Sequence, residues 1–143
     1  MPVNGAATLV QRTVTLLRNA GLTAFAEFDR GGLPLPDARC YTTVGAVKTE
    51  LAAVIPLTER DAVPLIAELR VRLHAPAGQD TGALNALREK ALAALAASGD
   101  PPVTLLYETG CSYQKQTDRL SADLHVQIAA LLMLDREEEP DDT

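Results

Sequence analysis

The segment Ser112-Tyr113-Gln114-Lys115 has the spacing of the S-x-x-K motif of serine acyl-enzymes. In those enzymes the serine opens a helix and the lysine, one turn later, faces its hydroxyl group. The companion S-D-N and K-T-G motifs are absent from this sequence, and we predict that the segment lies in a turn between strands. We therefore interpret the match as chance and predict no catalytic residue.

Histidine and cysteine are the next residues that could do chemistry. His74 and His125 both fall on the polar sides of predicted strands, and their rings would approach each other if those strands were neighbours. Two imidazoles without a nearby carboxylate or thiolate make an incomplete zinc site. Cys40 and Cys111 are far apart and form no C-x-x-C motif, so we interpret them as reduced, partly buried thiols. We expect no metal and no cofactor.

A third group of polar residues can form charge pairs between strands. Arg70, Arg72 and His74 alternate along one predicted strand, and Asp123 lies on the polar side of a later one. Asp123 can pair with Arg70 or Arg72 if the two strands are adjacent. Such pairs contribute about 0–1 kcal/mol when they are solvated, so we expect them to tune strand register or the choice of partner.

The elements that position these residues begin with an amphipathic helix. Apolar residues recur every three or four positions from Ala6 to Ala20, with polar residues on the other side. Asn4 suits the N-cap position, and Gly21 suits the left-handed position that follows a helix. We predict a helix over residues 5–20 whose apolar face packs on another element.

A short strand and a turn-rich stretch follow this helix. We predict the strand over residues 22–28, and residues 29–37 contain glycines and two prolines that interrupt hydrogen-bonded structure. Within that stretch, Leu33, Pro34, Leu35 and Pro36 predict a stiff extended arm. The arm either lies on its own domain or contacts a neighbouring subunit.

The remainder of the chain predicts long strands around a second helix. In the first strand, the odd-numbered residues from Tyr41 to Leu51 are placed on one side of the sheet. In the second, apolar residues from Ala67 to Ala75 alternate with charged ones, which is typical of a half-buried strand. The predicted segments are strands over 41–55, 63–75, 103–107 and 120–132, a helix over 82–97 and a polar turn over 110–118.

Together these elements predict an α+β fold, a mostly antiparallel sheet of four to five strands with two helices packed on one face. The length of 143 residues suits one domain, which we assign to residues 1–134. The last nine residues, 135–143, carry six acidic side chains and one arginine. A segment so rich in charge cannot pack against a core, so we predict a disordered C-terminal tail.

The net charge of -6 comes almost entirely from this tail, which contributes -5 and leaves the other residues at -1. A nearly neutral body with 3% aromatic residues lacks the basic stripe and the stacking platform of nucleic-acid binders. Its longest apolar runs are about seven residues, whereas a membrane-spanning helix needs about twenty. We expect neither a nucleic acid nor a membrane as a partner.

The organisation of the chain resembles that of the small tail terminator (tail completion) proteins of long-tailed bacteriophages and phage-tail-like particles. The likeness lies in the order of elements and extends to about residue 134. It is carried by Asn19-Ala20-Gly21-Leu22 at the end of the opening helix, Leu33-Pro34-Leu35-Pro36, Val44-Gly45, Glu68-Leu69-Arg70-Val71-Arg72-Leu73, and the turn with Tyr113, Thr117 and Asp118 that leads into Leu120 to Leu132.

This resemblance implies a structural protein of the virion, assembled in the cytoplasm of a bacterial host. Proteins of this family form rings, commonly hexamers, that stop polymerisation of the tail tube and face the head connector. The implied partners are further copies of the chain, the tail tube protein and the head connector protein. The expected contact residues are Arg70, Arg72, His74, Asp123 and the Leu33–Pro36 arm. The alternatives are a head-tail connector or neck subunit and a monomeric ligand-binding α+β module.

Overall fold

Two helices and eight strands make up the described part of the chain. The computed structural model describes residues 2–3, 5–27, 40–77, 81–99, 102–116 and 118–135. The elements are β1 (Pro2–Val3), α1 (Ala6–Asn19), β2 (Ala24–Ala26), β3 (Tyr41–Leu51), β4 (Ile55–Pro56), β5 (Arg60–Pro76), α2 (Gly82–Ala96), β6 (Val103–Glu108), β7 (Ser112–Gln114) and β8 (Arg119–Asp135).

Both helices lie close to their predicted positions. The helix α1 buries one apolar stripe that includes Leu9 and Leu17, and the hydroxyl of Thr13 donates to the carbonyl oxygen of Leu9 at 2.8 Å. Gly21 has a φ of 90°, as the predicted left-handed position requires. The N-cap is Gly5 and not the predicted Asn4, which lies outside the described residues. Within the described ranges, no helix is long and apolar enough to cross a membrane.

The sheet is built around β5 and β8, which pair antiparallel along their whole lengths, from Arg60 opposite Asp135 to Pro76 opposite Arg119. On the other side of β5, β3 pairs antiparallel over residues 41–51, and β4 pairs with residues 61–62. On the other side of β8 lie β6 and β7, both antiparallel, and β1, which is parallel. The edge strand β2 runs parallel to β3.

The predicted α+β class is therefore confirmed, and five of the seven strand pairs in the described chain are antiparallel, as predicted, but the predicted number of four to five strands is wrong. The sheet is mixed and has eight strands in the described chain. The strands β1, β4 and β7 have two or three residues each, which is too short for an alternation pattern to reveal. For the same reason β7 was missed within the predicted turn over 110–118. The two parallel pairs need long connections, which local periodicity does not report.

The predicted alternation of β3 is correct only as far as Gly45. A bulge at Val47 inserts one extra residue, so that Ala46 pairs with Leu69 but Lys48 pairs with Glu68. The bulge reverses the faces of the residues that follow it. Thr49 and Leu51 consequently lie on the same face as their partners Ala67 and Leu65, opposite to the face of Tyr41.

The core lies between the helices and one face of this sheet. The predicted alternation of β5 is confirmed, since its odd-numbered residues from Ala67 to Ala75 are at most 1% exposed. The apolar residues of α1 and α2 join them in one buried cluster with Val44 and alternate residues of β8. Both helices thus cover the same face, as predicted. The opposite face of the sheet, which we call the polar face, carries the charged residues.

Two predicted segments fall mainly outside the described residues. The arm, Leu33 to Pro36, lies within residues 28–39, and residues 136–143 contain all of the predicted tail except its first residue. That first residue, Asp135, is the last residue of β8, and its Oδ1 lies 3.0 Å from Nε of Arg60. The arm, the disordered tail and the assignment of one domain to residues 1–134 stay predictions.

Candidate interaction surfaces

The polar face is arranged in rows that cross the sheet. Successive rows centre on Arg70, Arg72 and His74 of β5, because alternate residues of a strand point to the same side. In the first row Arg70 pairs with Gly45 of β3 and His125 of β8. The next rows place Arg72 between Thr43 and Asp123, and His74 between Tyr41 and Ser121.

Arg70 is bound to a carboxylate from the far edge of the sheet. Its Nε and Nη2 donate to Oε1 of Glu27 at 3.1 and 2.9 Å, and Nη2 also donates to Oε2 at 2.9 Å. Between them lies Gly45, and a Cβ at that position would overlap the side chain of Glu27. The missing side chain of Gly45 therefore leaves the space in which Glu27 crosses β3 to reach Arg70.

Arg72 pairs with Asp123, one of the two pairings that the sequence allowed for this carboxylate. Nε of Arg72 donates to Oδ1 at 2.8 Å, and Nη2 donates to Oδ2 at 3.1 Å. The hydrogen bond to Asp123 raises the pKa of Arg72, an effect that burial partly opposes. The Arg72 side chain keeps 36% of its surface exposed, against 15% for Asp123, so the guanidinium can still meet a partner.

His74 lies in an aromatic cluster at one end of the polar face. Its ring stacks on Tyr41 with centroids 4.3 Å apart, and its Nε2 lies 3.0 Å from the hydroxyl oxygen of Thr43. The guanidinium of Arg119 also lies over the Tyr41 ring, 4.9 Å from its centre, in a cation–π contact. Burial, followed by the positive charges of Arg72 and Arg119, lowers the pKa of His74 to about 4. His74 is therefore neutral at pH 7.

His125 belongs to a separate cluster. Its Nδ1 lies 3.1 Å from Oε2 of Glu68, and its ring stacks on Tyr107 with centroids 4.3 Å apart. The two histidines share a face, as predicted, but His74 and His125 lie in rows four positions apart along the strands, roughly 13 Å at the usual rise per residue. Among the described residues, no group of three or more histidines, cysteines, aspartates and glutamates could hold a metal ion.

The predicted contact residues Arg70, Arg72, His74 and Asp123 thus lie together on the polar face. The arm, Leu33 to Pro36, lies outside the described residues. Sequence reasoning missed the residues that hold this face together. The sequence could have placed Glu68 on the polar face, since it alternates with Arg70 in the same strand. Glu27 comes from a distant segment, and no local pattern connects it to this face. The other missed members of the face are Tyr41, Thr43, Tyr107 and Arg119.

A second surface is a ribbon of chain beyond the helical layer, residues 46–60, in which every residue is exposed. We call these residues the ribbon; they comprise the end of β3, β4 and the turn into β5. Five of its large apolar side chains, together with Ile66 of the adjoining β5, are 40–63% exposed. The large apolar side chains of the ribbon are Val47, Leu51, Val54, Ile55 and Leu57, with exposures between 44% and 63%.

A third surface feature is a groove on the helical side. It has a volume of about 390 Å³ and lies between α1 and the start of β6. Its walls combine the hydroxyl and amide groups of α1 with apolar side chains of the sheet. The lining residues include Thr8, Gln11, Thr15, Asn19, Val103 and Ile128.

The S-x-x-K segment has no catalytic geometry. Ser112 lies in the short strand β7 and not at the start of a helix, and Lys115 lies in the turn that follows. The hydroxyl of Ser112 accepts a hydrogen bond from Nε2 of Gln114 at 3.2 Å. Both cysteines are free thiols. Cys40 is half-buried, as predicted, whereas Cys111 is exposed, so the prediction of partial burial is wrong for Cys111.

Comparisons with known proteins find similar chains among the solved structures. No family model matches the chain, and no curated protein matches it. One of the solved structures similar to it is a chain of a particle described as "Virion of native gene transfer agent (GTA) particle". The two chains are 14% identical, with a TM-score of 0.47, over 85% of this chain and 91% of that one. At this TM-score the likeness assigns neither a family nor a role.

Proposed function

We propose that this chain is a structural virion subunit, a tail terminator that forms a ring on the head-proximal end of a tail tube and joins it to the head connector. The ribbon is the observation that carries this proposal. Five large apolar side chains stand 44–63% exposed along residues 46–60. Large apolar side chains concentrated in one exposed segment favour a protein contact site, and an assembling subunit buries them against a neighbour.

The polar face supports the same proposal as a second contact surface. Its charges are paired, Arg70 with Glu27 and Arg72 with Asp123, and both guanidinium groups keep about a third of their surface exposed. Paired charges can contact a partner without leaving a lone ion buried. We propose that Arg70, Arg72, His74 and Asp123, with the Leu33–Pro36 arm, meet the tube or the connector. The proposed role includes no catalytic step and no cofactor.

A second candidate function is that of a monomeric ligand-binding module. The groove beside α1 favours it, since a volume of about 390 Å³ falls within the range of small-molecule sites. A head-tail connector or neck subunit would use the same ribbon and polar face, and only its partner differs. The three functions are therefore separated by what the protein binds.

The test measures the solution mass of the purified chain over a range of concentrations, with negative-stain microscopy. It then adds the chain to tail tubes encoded by the same genome. A tail terminator forms a ring and caps one end of each tube. A ring that binds the head connector but not the tube supports the neck role, and a monomer that binds neither contradicts a virion role.

Variants of the ribbon make this test specific. The double substitution Leu51→Ser and Ile55→Ser removes two exposed apolar side chains and is expected to weaken assembly or tube binding while leaving urea unfolding unchanged. The matched control is Ala93→Ser with Ala96→Ser, at exposed positions of α2, which should assemble normally. Equal assembly of the two variants would contradict the role of the ribbon.

A further inference from the structure

Two stretches of strand lie at opposite sides of the sheet without a strand beside them in the described chain. On one side, β2 pairs with residues 42–44 of β3, and no described strand continues that pairing along residues 46–51. On the other side, β8 is the one strand of the described residues that pairs with β6. Unpaired edges are templates for pairing with another chain.

The backbone groups of the first edge can be assigned from a hydrogen bond just beyond it. The N–H of Ala52 donates to the carbonyl oxygen of Pro64 at 2.9 Å, so residue 52 turns its backbone groups toward β5. Successive residues of an antiparallel strand turn these groups to opposite sides. Leu51 and Thr49 therefore direct their N–H and C=O groups outward, away from β5.

The same reasoning applies to the second edge. The N–H of Thr109 donates to the carbonyl oxygen of Asp123 at 2.9 Å, so the odd-numbered residues of β8 turn toward β6 and the even-numbered ones toward β5. Leu105 is paired with Val126, and Val103 with Ile128. Because Val126 and Ile128 turn away from β6, Leu105 and Val103 also direct their backbone groups outward.

The directions of the strands also match. β5 is antiparallel to both β3 and β8, and β6 is antiparallel to β8, so β6 runs opposite to β3. When a second copy is set beside the first with its helices on the same side, its β6 lies antiparallel to β3. An antiparallel pair then continues the sheet from one copy into the next.

The side chains fit the same register. Thr49 and Leu51 lie on the helical face of β3, and Val103 and Leu105 lie on the helical face of β6. Placing Thr49 opposite Leu105 puts Leu51 opposite Val103, with like faces aligned. The bulges at Val47 and Leu106 flank these short segments and limit the registers available.

The charges near the two edges are compatible with this contact. Nζ of Lys48 lies 3.5 Å from Oε1 of Glu50 beside the first edge. At the second edge Arg88 binds Glu108, and this hydrogen-bonded pair lowers the pKa of Glu108 and raises that of Arg88. Each edge is therefore close to neutral, and two copies approach without repulsion between like charges.

We propose that residues 49–51 of β3 in one copy pair antiparallel with residues 103–105 of β6 in a second copy, with Thr49 opposite Leu105. The inference rests on the proposed ring and names its subunit contact. The two edges are different surfaces of the same chain, so the contact repeats from copy to copy and closes a ring after a fixed rotation.

Disulfide trapping tests this register. Directly opposed residues of such a pair have Cα atoms about 5.5 Å apart, a separation that a disulfide spans. In a Cys40→Ser, Cys111→Ser background, Thr49→Cys with Leu105→Cys should give a covalent ladder of multimers on oxidation, and Leu51→Cys with Val103→Cys should do the same. Each single cysteine variant should give no ladder. The matched control, Glu50→Cys with Leu105→Cys, places its thiols on opposite faces and should also give no ladder.

The outcomes separate this contact from the proposed function. Absence of a ladder in both designed pairs overturns the contact, whether the protein assembles or stays monomeric. A ladder of equal strength from the Glu50→Cys control overturns the register. If the designed pairs give ladders but the rings do not bind tail tubes, the contact stands and the tail role fails. If rings cap tubes without any ladder, the tail role stands and the contact fails.

Discussion

The side chain of Glu27 crosses β3 directly over Gly45, in space that any larger residue at position 45 would occupy. This close approach joins the end of β2 to the centre of the sheet, because the Glu27 carboxylate accepts three hydrogen bonds from Arg70 of β5. Gly45 itself pairs with Arg70. The absence of a side chain is therefore what allows the ion pair to span two strands.

Gly45→Ala is expected to displace Glu27 and to lower the free energy of unfolding by about 1 kcal/mol, the usual scale for a partly exposed ion pair. In a Glu27→Ala background the same substitution should be neutral or slightly stabilising, since alanine suits a strand better than glycine. Urea unfolding of the four proteins measures this coupling. Equal effects in both backgrounds would show that the overlap with Glu27 does not matter.

Arg72→Glu is expected to destabilise the fold by about 1–2 kcal/mol, because it sets a carboxylate opposite Asp123 in place of an ion pair. The reversed pair, Arg72→Glu with Asp123→Arg, should recover most of the loss. Urea unfolding at low and high salt measures both effects, and salt should reduce the penalty of the single variant. Failure of the reversed pair to recover stability would mean that packing, and not charge, holds these two side chains.

The lowered pKa of His74 predicts a loss of stability in mild acid. The folded chain keeps His74 neutral down to about pH 4, whereas the unfolded chain protonates it near pH 6.5. The unfolded state therefore binds more protons between these values, so this contribution is complete above pH 6.5 and is lost as the pH falls toward 4.

That contribution amounts to about 3 kcal/mol over the full interval. His74→Gln lacks the titrating group, so its free energy of unfolding should fall by about 3 kcal/mol less than that of the parent chain between pH 7 and pH 4. Urea unfolding at a series of pH values provides the comparison. Identical pH profiles for the two proteins would mean that His74 titrates normally in the folded chain.

Leu87→Asp is expected to lower the free energy of unfolding by about 3–5 kcal/mol, because it buries a charge without a partner in the core. Leu87 is 5% exposed and faces the sheet from α2. The matched control, Ala86→Asp, changes the adjacent exposed residue and should cost less than about 1 kcal/mol. Thermal unfolding compares the two variants. A similar loss of stability in both would contradict the orientation of α2 in which Leu87 faces the sheet and Ala86 faces solvent.

Strong local patterns were sufficient to predict the main elements. The 3.6-residue period of α1 and the strict alternation of β5 identify which residues face the core, since burial of apolar side chains drives both. The helical face of the sheet follows from that alternation. The sequence also indicated that Arg70, Arg72, His74 and Asp123 share a face, because alternate residues of paired strands point the same way.

Only the tertiary structure decided which of those residues meet. Asp123 had two possible arginine partners, and the register of β5 against β8 selected Arg72. Arg70 found Glu27, whose segment precedes it by more than forty positions, because the parallel pairing of β2 with β3 brings the two together.

The bulge at Val47 had the largest effect that the sequence did not reveal. It moved Thr49 and Leu51 to the helical face and so set the edge that we propose as a subunit contact. A bulge, a parallel edge strand and a long-range ion pair all depend on how distant segments are placed beside one another. Amino-acid type and local spacing determine helices, strands and their faces, whereas register and partner choice arise only from packing of the whole chain.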